Sequence, residues 1–367
     1  MAPDIAIVGG GVIGCAIAYA LAHAGAGRIL VIDRGAPGAE ASNAAAGLLV
    51  VAGSRAPRGV LFELRRASAT MFPALVDALR TESGIDVEYR DAGLLELAFT
   101  DAEVDELTGL VARRREQGFV VEQLDARAVR ELEPSVSPAV CAGALFAEDR
   151  AVNSERLVQA LHRAAQARGV ECRFGTGLTA VETVRGRLTA ISAGAERFTP
   201  GWLIIAAGAW SPEVGELLRV KVPVRPDKGE MAAVRPALPL GRPVVWNEGY
   251  LVPRNDGEVL IGSTSARGAT DKSVNAESLA LLLGRAARMV PSLAGAIPVR
   301  TWAGLRPCST IRRPIIGLVR GYANVILATG HHRSGILLAP ITGKLVAELV
   351  VHGQTSIPLH PFGYRPR

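Results

Sequence analysis

The chain begins with MAPDIAIVGGGVIGCAIAYALAHAGAGRILVIDR, residues 1–34, and this stretch decides the fold. Ile5 to Val8 is a short apolar run typical of a buried strand, and the Ala-rich segment from Cys15 to His23 has helical character. Arg28 to Ile32 predicts a second strand that ends at Asp33. Strand, turn, helix and strand in about thirty residues are the first unit of a doubly wound parallel sheet.

Three glycines in the turn after the first strand indicate a dinucleotide site. Gly9, Gly11 and Gly14 fit the pattern G-x-G-x-x-G. In this pattern the first glycine permits a tight turn, the second lets the backbone approach a pyrophosphate, and the third lets the helix pack on the strand. Asp33 stands 19 residues after Gly14, where an acidic side chain accepts a hydrogen bond from a ribose hydroxyl. The motif alone does not separate NAD from FAD.

The remaining strands of the nucleotide fold are expected from distant parts of the chain. A small-residue loop at 35–49 and helical segments near 61–81 and 102–117 follow the second strand instead of a further strand and helix unit. Single strands are predicted much later, at 169–174, 202–208 and 324–330. The block 218–300 alternates as antiparallel strands do, with a helix near 276–290.

The predicted fold class is therefore α/β plus α+β. It combines a Rossmann-type nucleotide-binding domain, assembled from separated segments, with an inserted antiparallel-sheet domain. The first domain is expected to comprise residues 1–80, 145–217 and 305–367, and the second residues 81–144 and 218–304.

Composition is that of a globular protein in a reducing setting. Of 367 residues, 49% are hydrophobic and 21% charged, and the net charge is +6. No uncharged apolar run reaches the roughly 18 residues that a membrane span needs, and the first residues lack a basic leader. The four cysteines form no CxxC pair, which argues against disulfides and zinc. We expect a cytoplasmic protein, and nucleic acid is disfavoured because the basic residues are dispersed.

Four further segments carry a family resemblance. They are SNAAAGLL (42–49), IIAAGAWS (204–211), WAGLRP (302–307) and GHHRSGILLAP (330–340). In this order and spacing they resemble the D-amino-acid oxidase superfamily of flavoenzymes, and within it the glycine oxidases of the thiamine pathway. The resemblance spans essentially the whole chain and implies FAD as the cofactor of the first domain, with the second domain binding substrate.

The resemblance also implies how the FAD is held. The AAAG loop passes beside the flavin ring, and the C-terminal helix points its N-terminus at the flavin pyrimidine, where free amides and half a positive charge meet developing negative charge. Cys308 is compared with the flavin-tethering cysteine of sarcosine oxidases, but that position falls nearer Gly304, so non-covalent FAD is expected. The expected cofactor-binding residues are Gly9, Gly11, Val12, Gly14, Asp33, Arg34, Ser42, Ala45, Ala46, Gly47, Leu48, Leu178, Ala207, Gly208, Trp210, Arg306, His332, Arg333, Ser334, Gly335, Ile336 and Leu337.

The substrate groups follow from the same resemblance. Arg306 is similar to the arginine that grips the substrate carboxylate, Tyr250 to the tyrosine that assists it, and Arg333 to a second active-site arginine. A planar guanidinium holds a carboxylate by two parallel bonds. Glu248 stands where the family has a histidine, so it either favours a substrate with a cationic end or is a rim carboxylate without a role. The segment 50–59 replaces an acidic stretch of the family.

The implied reaction is FAD-dependent oxidation of the C–N bond of glycine, sarcosine or a small D-amino acid. Hydride passes from Cα to flavin N5, and the imine hydrolyses to a 2-oxo acid and ammonia or an amine, with hydrogen peroxide formed if oxygen is the acceptor. No side-chain base is required when the neutral amine supplies its lone pair. A dehydrogenase that passes electrons to a quinone or partner protein, a flavin enzyme acting on a modified tRNA base, and a non-catalytic nucleotide-binding protein remain alternatives, and a homo-oligomer stays open.

Overall fold

The computed structural model describes residues 3–247 and 249–364. Its α-helices are α1 (Val12–His23), α2 (Val60–Ala69), α3 (Phe72–Ser83), α4 (Asp101–Glu116), α5 (Ala126–Leu132), α6 (Ser154–Ala167), α7 (Ser211–Leu217), α8 (Ala276–Met289) and α9 (Gly335–His352).

Twenty strands are described. They are β1 (Ile5–Val8), β2 (Ile29–Asp33), β3 (Leu48–Leu49), β4 (Leu94–Ala98), β5 (Val121–Asp125), β6 (Ala142–Phe146), β7 (Arg150–Ala151), β8 (Glu171–Phe174), β9 (Leu178–Val184), β10 (Arg187–Ala193), β11 (Glu196–Phe198), β12 (Trp202–Ile205), β13 (Val224–Val234), β14 (Val244–Trp246), β15 (Gly249–Pro253), β16 (Val259–Gly262), β17 (Ala266–Arg267), β18 (Arg300–Ser309), β19 (Ile315–Leu318) and β20 (Val325–Thr329).

A six-stranded sheet confirms the Rossmann-type fold predicted from the first 34 residues. Its strand order is β19-β20-β12-β1-β2-β8, and all neighbours are parallel except β19, which runs antiparallel to β20. The sheet therefore joins the N-terminal unit to strands near residues 171, 202 and 325, as the separated apolar runs indicated. Its strands are nearly fully buried at the centre, which explains why they read as continuous apolar runs.

The two faces of this sheet are covered differently. On one face, Ile5 and Ile7 pack in a core cluster with residues of α1 and α9. On the other face, Ala6 and Val8 pack with α7 and with the three-stranded antiparallel sheet β9-β10-β11. Strands β9–β11 were not predicted from the sequence, so this cover is an addition to the predicted fold.

A nine-stranded sheet forms the inserted part. Its order is β17-β13-β16-β15-β14-β4-β6-β5, with β18 paired to β13, and the pairings are antiparallel except for β14 with β4. This confirms the predicted antiparallel sheet, but strands β4, β5 and β6 were not predicted. One face packs on α8. The domain boundaries stay a prediction, since β18 extends across residues 304 and 305.

Within the described residues, one helical stretch, His332–His352, is long and apolar enough to cross a membrane by length and composition alone. It is also 67% buried inside the protein. Helix α9 packs against α1 and α2 and carries the core residues Leu338, Ile341 and Leu345. Its apolar composition is thus accounted for by its place in the core.

The crossing of α1 and α9 yields the first testable prediction. A Cβ on Gly343 would lie 2.5 Å from the carbonyl oxygen of Ala16, so Gly343→Ala should force the helices apart and lower the free energy of unfolding by about 1–3 kcal/mol. The matched control is Gly284→Ala in α8, where an added Cβ meets nothing within 4 Å. That change should stabilise by about 0.5–1 kcal/mol. Equal unfolding midpoints for the two variants in urea would contradict the close crossing.

Candidate active site

A cavity of about 870 Å³ lies between the two large sheets. The carboxyl ends of β1, β12 and β20 contribute one wall, through residues 8–9, 206–210 and 328–329, and β13, β15 and β18 of the nine-stranded sheet contribute the opposite wall. Ligands of doubly wound folds bind at this edge of the parallel sheet. The cavity is therefore the candidate site.

Nearly all of the predicted cofactor residues line this cavity. Gly14 is the exception, and its place is explained by packing: a Cβ there would lie 1.8 Å from the carbonyl oxygen of Gly9. Gly9 has φ +114°, and its Cβ would lie 2.4 Å from Ala206 O. The turn after β1 can therefore be built only with glycine at both positions.

The start of α1 and the end of β2 shape one end of the cavity. The Val12 amide donates to Ser42 Oγ at 2.9 Å. Asp33 Oδ2 accepts from the Gly10 amide at 2.6 Å and Oδ1 from the Gly35 amide at 2.7 Å, so this carboxylate fixes the glycine turn. A carboxylate oxygen can accept more than one hydrogen bond, so Asp33 can also accept from a ribose hydroxyl. That ribose contact stays a prediction.

The AAAG loop forms part of the cavity wall because neighbouring residues pack closely against it. Gly47 has φ +75°, and a Cβ there would lie 1.9 Å from Val152 O. Trp302 Nε1 donates to Ala44 O at 3.1 Å, and a Cβ on Gly304 would lie 2.5 Å from Ala44 Cβ. The loop is thus held against β18, with residues 44–48 facing the cavity.

Polar atoms without partners show that the site suits FAD. Among the described residues, Trp210 Nε1 and His331 Nδ1 are buried, line the cavity and have no hydrogen-bond partner. Buried unsatisfied groups of this kind are costly unless a ligand pairs with them. Ser334, at the N-cap of α9, makes no side-chain cap, and a helix N-terminus of this kind favours negative charge nearby. A flavin presents ring nitrogens and carbonyl oxygens that match these groups.

Arg306 is held in a fixed position at the opposite wall. Its side chain is 16% exposed, and it donates through Nη2 to Ser263 Oγ at 2.8 Å and through Nη1 to Thr264 O at 3.2 Å. A Cβ on Gly229 would lie 2.0 Å from Nη2. The guanidinium therefore occupies the space that any side chain at 229 would take. This role of Gly229 was not predicted from the sequence.

A buried carboxylate links Arg306 to the segment before α9. Asp227 is 1% exposed, and its Oδ2 lies 4.0 Å from Arg306 Nη1 and 2.6 Å from His332 Nε2. Burial alone would raise the pKa of Asp227, but hydrogen bonds from His332 and Ser265 and the charge of Arg306 hold that pKa below its ordinary value. Because an ionised carboxylate only accepts, His332 Nε2 carries a proton. Sequence reasoning missed Asp227.

The other predicted substrate residues are placed as follows. Tyr250 lines the cavity and donates its hydroxyl to Met231 Sδ at 3.2 Å, a weak acceptor. Arg333 lines the cavity, is exposed and has no ion pair among the described residues. Glu248 lies outside the described residues, so its two interpretations stay open. His331 is buried, and burial lowers its pKa to about 3.

The segment 50–56 forms a rigid end wall. Asp149 accepts hydrogen bonds from three amides of this segment: Oδ1 from Val51 and Ala52, and Oδ2 from Gly53, at 2.7–3.0 Å. From the other side, the buried Arg114 donates to the carbonyl oxygens of residues 52, 54 and 56. Arg55, also in the lining, is paired with the buried Glu96. Asp149, Arg114 and Glu96, which hold this segment in place, were not predicted from the sequence.

The chemistry of this arrangement indicates the class of enzyme. The glycine turn and the N-terminus of α9 suit an extended dinucleotide, while the desolvated arginine on the facing wall suits a small carboxylate substrate. Together the fold and site define a flavin-dependent oxidoreductase acting on small carboxylate-bearing molecules.

Comparison with known proteins supports this class of enzyme. The family model "FAD dependent oxidoreductase" (DAO) matches residues 4–349, and the chain belongs to this family of FAD-dependent amino-acid oxidases. It is 36% identical over 366 residues to the glycine oxidase of Geobacillus kaustophilus, covering 98% of this chain and 96% of that protein. The crystal structure of glycine oxidase from that organism superposes with a TM-score of 0.94 at 34% identity, covering 99% and 98%. Iminodiacetate oxidase (IdaA) from Chelativorans sp. BNC1 gives 0.90 at 26% identity, covering 98% of each chain.

The folded protein should lose stability at acid pH because of His331. Its pKa falls from 6.5 to about 3 on folding, so the unfolded chain binds a proton that the folded one does not, and stability is lost as pH falls below 6.5. Between pH 7.5 and pH 5 this residue should cost about 2 kcal/mol.

The measurement is the unfolding midpoint of the FAD-saturated protein at both pH values. His331→Gln should remove most of this difference, while His352→Gln, at the exposed end of α9, should keep it. A His331→Gln variant with the full pH dependence would show that the residue is not the cause.

Proposed function

We propose that this protein oxidises the C–N bond of glycine, sarcosine or a small D-amino acid to an imine, which water converts to a 2-oxo acid and ammonia or an amine. The observation that carries the proposal is the Arg306 guanidinium, desolvated and fixed over Gly229 on the wall that faces the AAAG loop. Similarity to glycine oxidases over nearly the full length supports it.

The side chains act mainly by positioning. Arg306 grips the substrate carboxylate, and Tyr250 assists by turning its hydroxyl from Met231 Sδ to a carboxylate oxygen, a far stronger acceptor. Bound FAD supplies the two-electron acceptor. Orienting the Cα–H bond within an enclosed site accounts for much of the rate, because a bimolecular encounter becomes an intramolecular one.

No described residue of the lining is required as a general base. Asp227 is occupied by hydrogen bonds from His332 and Ser265, and burial lowers the pKa of His332 despite this carboxylate. The substrate amine is accordingly proposed to bind neutral, so that its lone pair forms the C=N bond as hydride leaves.

Oxygen is proposed as the electron acceptor, which would make hydrogen peroxide the second product, and the cytoplasm as the location. The oxidase names of the relatives support the acceptor. A dehydrogenase that reduces a quinone or a partner protein is the second candidate, and oxygen uptake in the steady state separates the two. We also retain the proposed division into FAD-binding and substrate-binding domains.

The carboxylate clamp has a direct test. Arg306→Ala should cost about 2–5 kcal/mol of transition-state binding, which is at least about 30-fold in kcat/KM for glycine or sarcosine. Arg306→Lys keeps the charge but loses the two-pronged geometry, so an intermediate loss is expected. The control is Arg225→Ala, an exposed arginine on β13 outside the cavity. An unaltered kcat/KM in Arg306→Ala would refute the assignment.

Non-covalent cofactor binding is proposed because no cysteine occurs among the described residues that line the cavity. Precipitation with trichloroacetic acid should leave all yellow colour in the supernatant, in wild type and in Cys308→Ser alike, as measured by absorbance at about 450 nm. Colour retained in the wild-type pellet and absent from that of Cys308→Ser would contradict this proposal.

A further inference from the structure

The charged groups of the cavity lining are almost all paired. Arg34 pairs with Glu213 at 3.1 Å and stacks 4.1 Å over Trp210. Elsewhere in the lining, Glu40 pairs with Lys272, Arg55 with Glu96 and Arg306 with Asp227. Two guanidinium groups lack any ion pair among the described residues, Arg65 and Arg333. Arg333 is exposed just before α9 and is already predicted, by the family resemblance, as a second active-site arginine.

Arg65 differs because its side chain is half-buried in the cavity lining and has no ion pair among the described residues. Its Nε is inaccessible to solvent and has no hydrogen-bond partner in the described part of the chain. Burial lowers the pKa of Arg65 from its ordinary value, although a guanidinium remains charged at neutral pH. A guanidinium that is partly removed from water gains from a charge-assisted hydrogen bond to an anion. Its side chain lines the cavity, so an anionic group of a ligand can pair with it there.

The position of Arg65 separates it from the expected pyrophosphate site. One turn later on α2, Ser68 Oγ donates to Leu337 O in the first turn of α9 at 2.6 Å. One turn earlier, Phe62 packs under Arg114 at 4.7 Å, the residue that holds the end-wall segment 50–56. Arg65 therefore lies between the start of α9 and the end wall, whereas the pyrophosphate is expected at the start of α1.

We propose that Arg65 is a second anion-binding residue of the substrate pocket, so that the preferred substrates are glycine derivatives or small D-amino acids with a second anionic group. This inference rests on the proposed function, in which Arg306 takes the first carboxylate. The end wall adds no competing cation, because the charge of Arg55 is balanced by Glu96.

Iminodiacetate (N-carboxymethylglycine) is the simplest probe of this class. Its oxidation at one Cα followed by addition of one water gives glyoxylate and glycine, and the two electrons and two protons go to the FAD. Its neutral partner is N-(carbamoylmethyl)glycine, which has nearly the same shape, and its cationic partner is N-(2-aminoethyl)glycine. D-Aspartate against D-asparagine makes the same comparison on the Cα side chain.

The experiment measures kcat/KM of the holoenzyme for each pair. Wild type should prefer N-carboxymethylglycine to its amide by about tenfold or more, and Arg65→Gln should bring that ratio near one. Arg65→Lys should keep part of the preference. The matched control is Arg66→Gln on the same helix, since Arg66 is exposed, lies over Phe119 and is outside the cavity lining; its ratio should match wild type.

Three results would overturn the inference: no preference for the acidic probes in wild type, an unchanged ratio in Arg65→Gln, or the cationic probe as best substrate. Glycine in the same assay tests the proposed function separately, because its failure together with that of every probe removes the reaction and not only the second anion site. In that event the second anion site is tested by binding alone. The dissociation constants of succinate and succinamate, read from the flavin spectrum, show whether Arg65 binds an anion. A succinate preference lost in Arg65→Gln supports the site, and its absence overturns it.

Discussion

The buried carboxylate of Asp227 is the constraint on which the site depends. A charge that is 1% exposed must be compensated by nearby donors. Ser265 donates to one oxygen, His332 to the other, and Arg306 lies 4.0 Å away. Asp227 lies on β13, and its partners come from the loop between β16 and β17, from β18 and from the turn before α9. The one carboxylate therefore fixes the substrate arginine relative to the helix N-terminus.

The sequence predicted the parallel sheet well and its surroundings poorly, for a physical reason. Strands β1, β2, β12 and β20 are buried on both faces and therefore appear as unbroken apolar runs. Strand β9 is mostly exposed, and the two buried residues of β5 are three positions apart, so neither strand shows the period of two that identifies a half-buried strand. The glycine-oxidase resemblance supplied segment order, which periodicity could not.

Within the site, the resemblance located the residues that face the cavity but not those that position them. His332 and Asp227 are 105 residues apart, and Arg306 and Ser263 are 43 apart, so no local pattern joins them. Gly229 matters only because a guanidinium lies over it, and Asp33 uses both oxygens on backbone amides. Such roles depend on tertiary contacts, which a single sequence does not encode in readable form.

Strand β18 shows why cofactor and substrate binding should not be independent. Gly304 lies against Ala44 of the AAAG loop, Arg306 follows on the same face two residues later, and Cys308 forms a backbone bridge with His331 just before α9. Any shift of this strand moves the loop, the clamp and the helix start together. The proposed boundary between the domains falls inside this strand. Ordering the loop around FAD should therefore also order the arginine, and the clamp is set before substrate arrives.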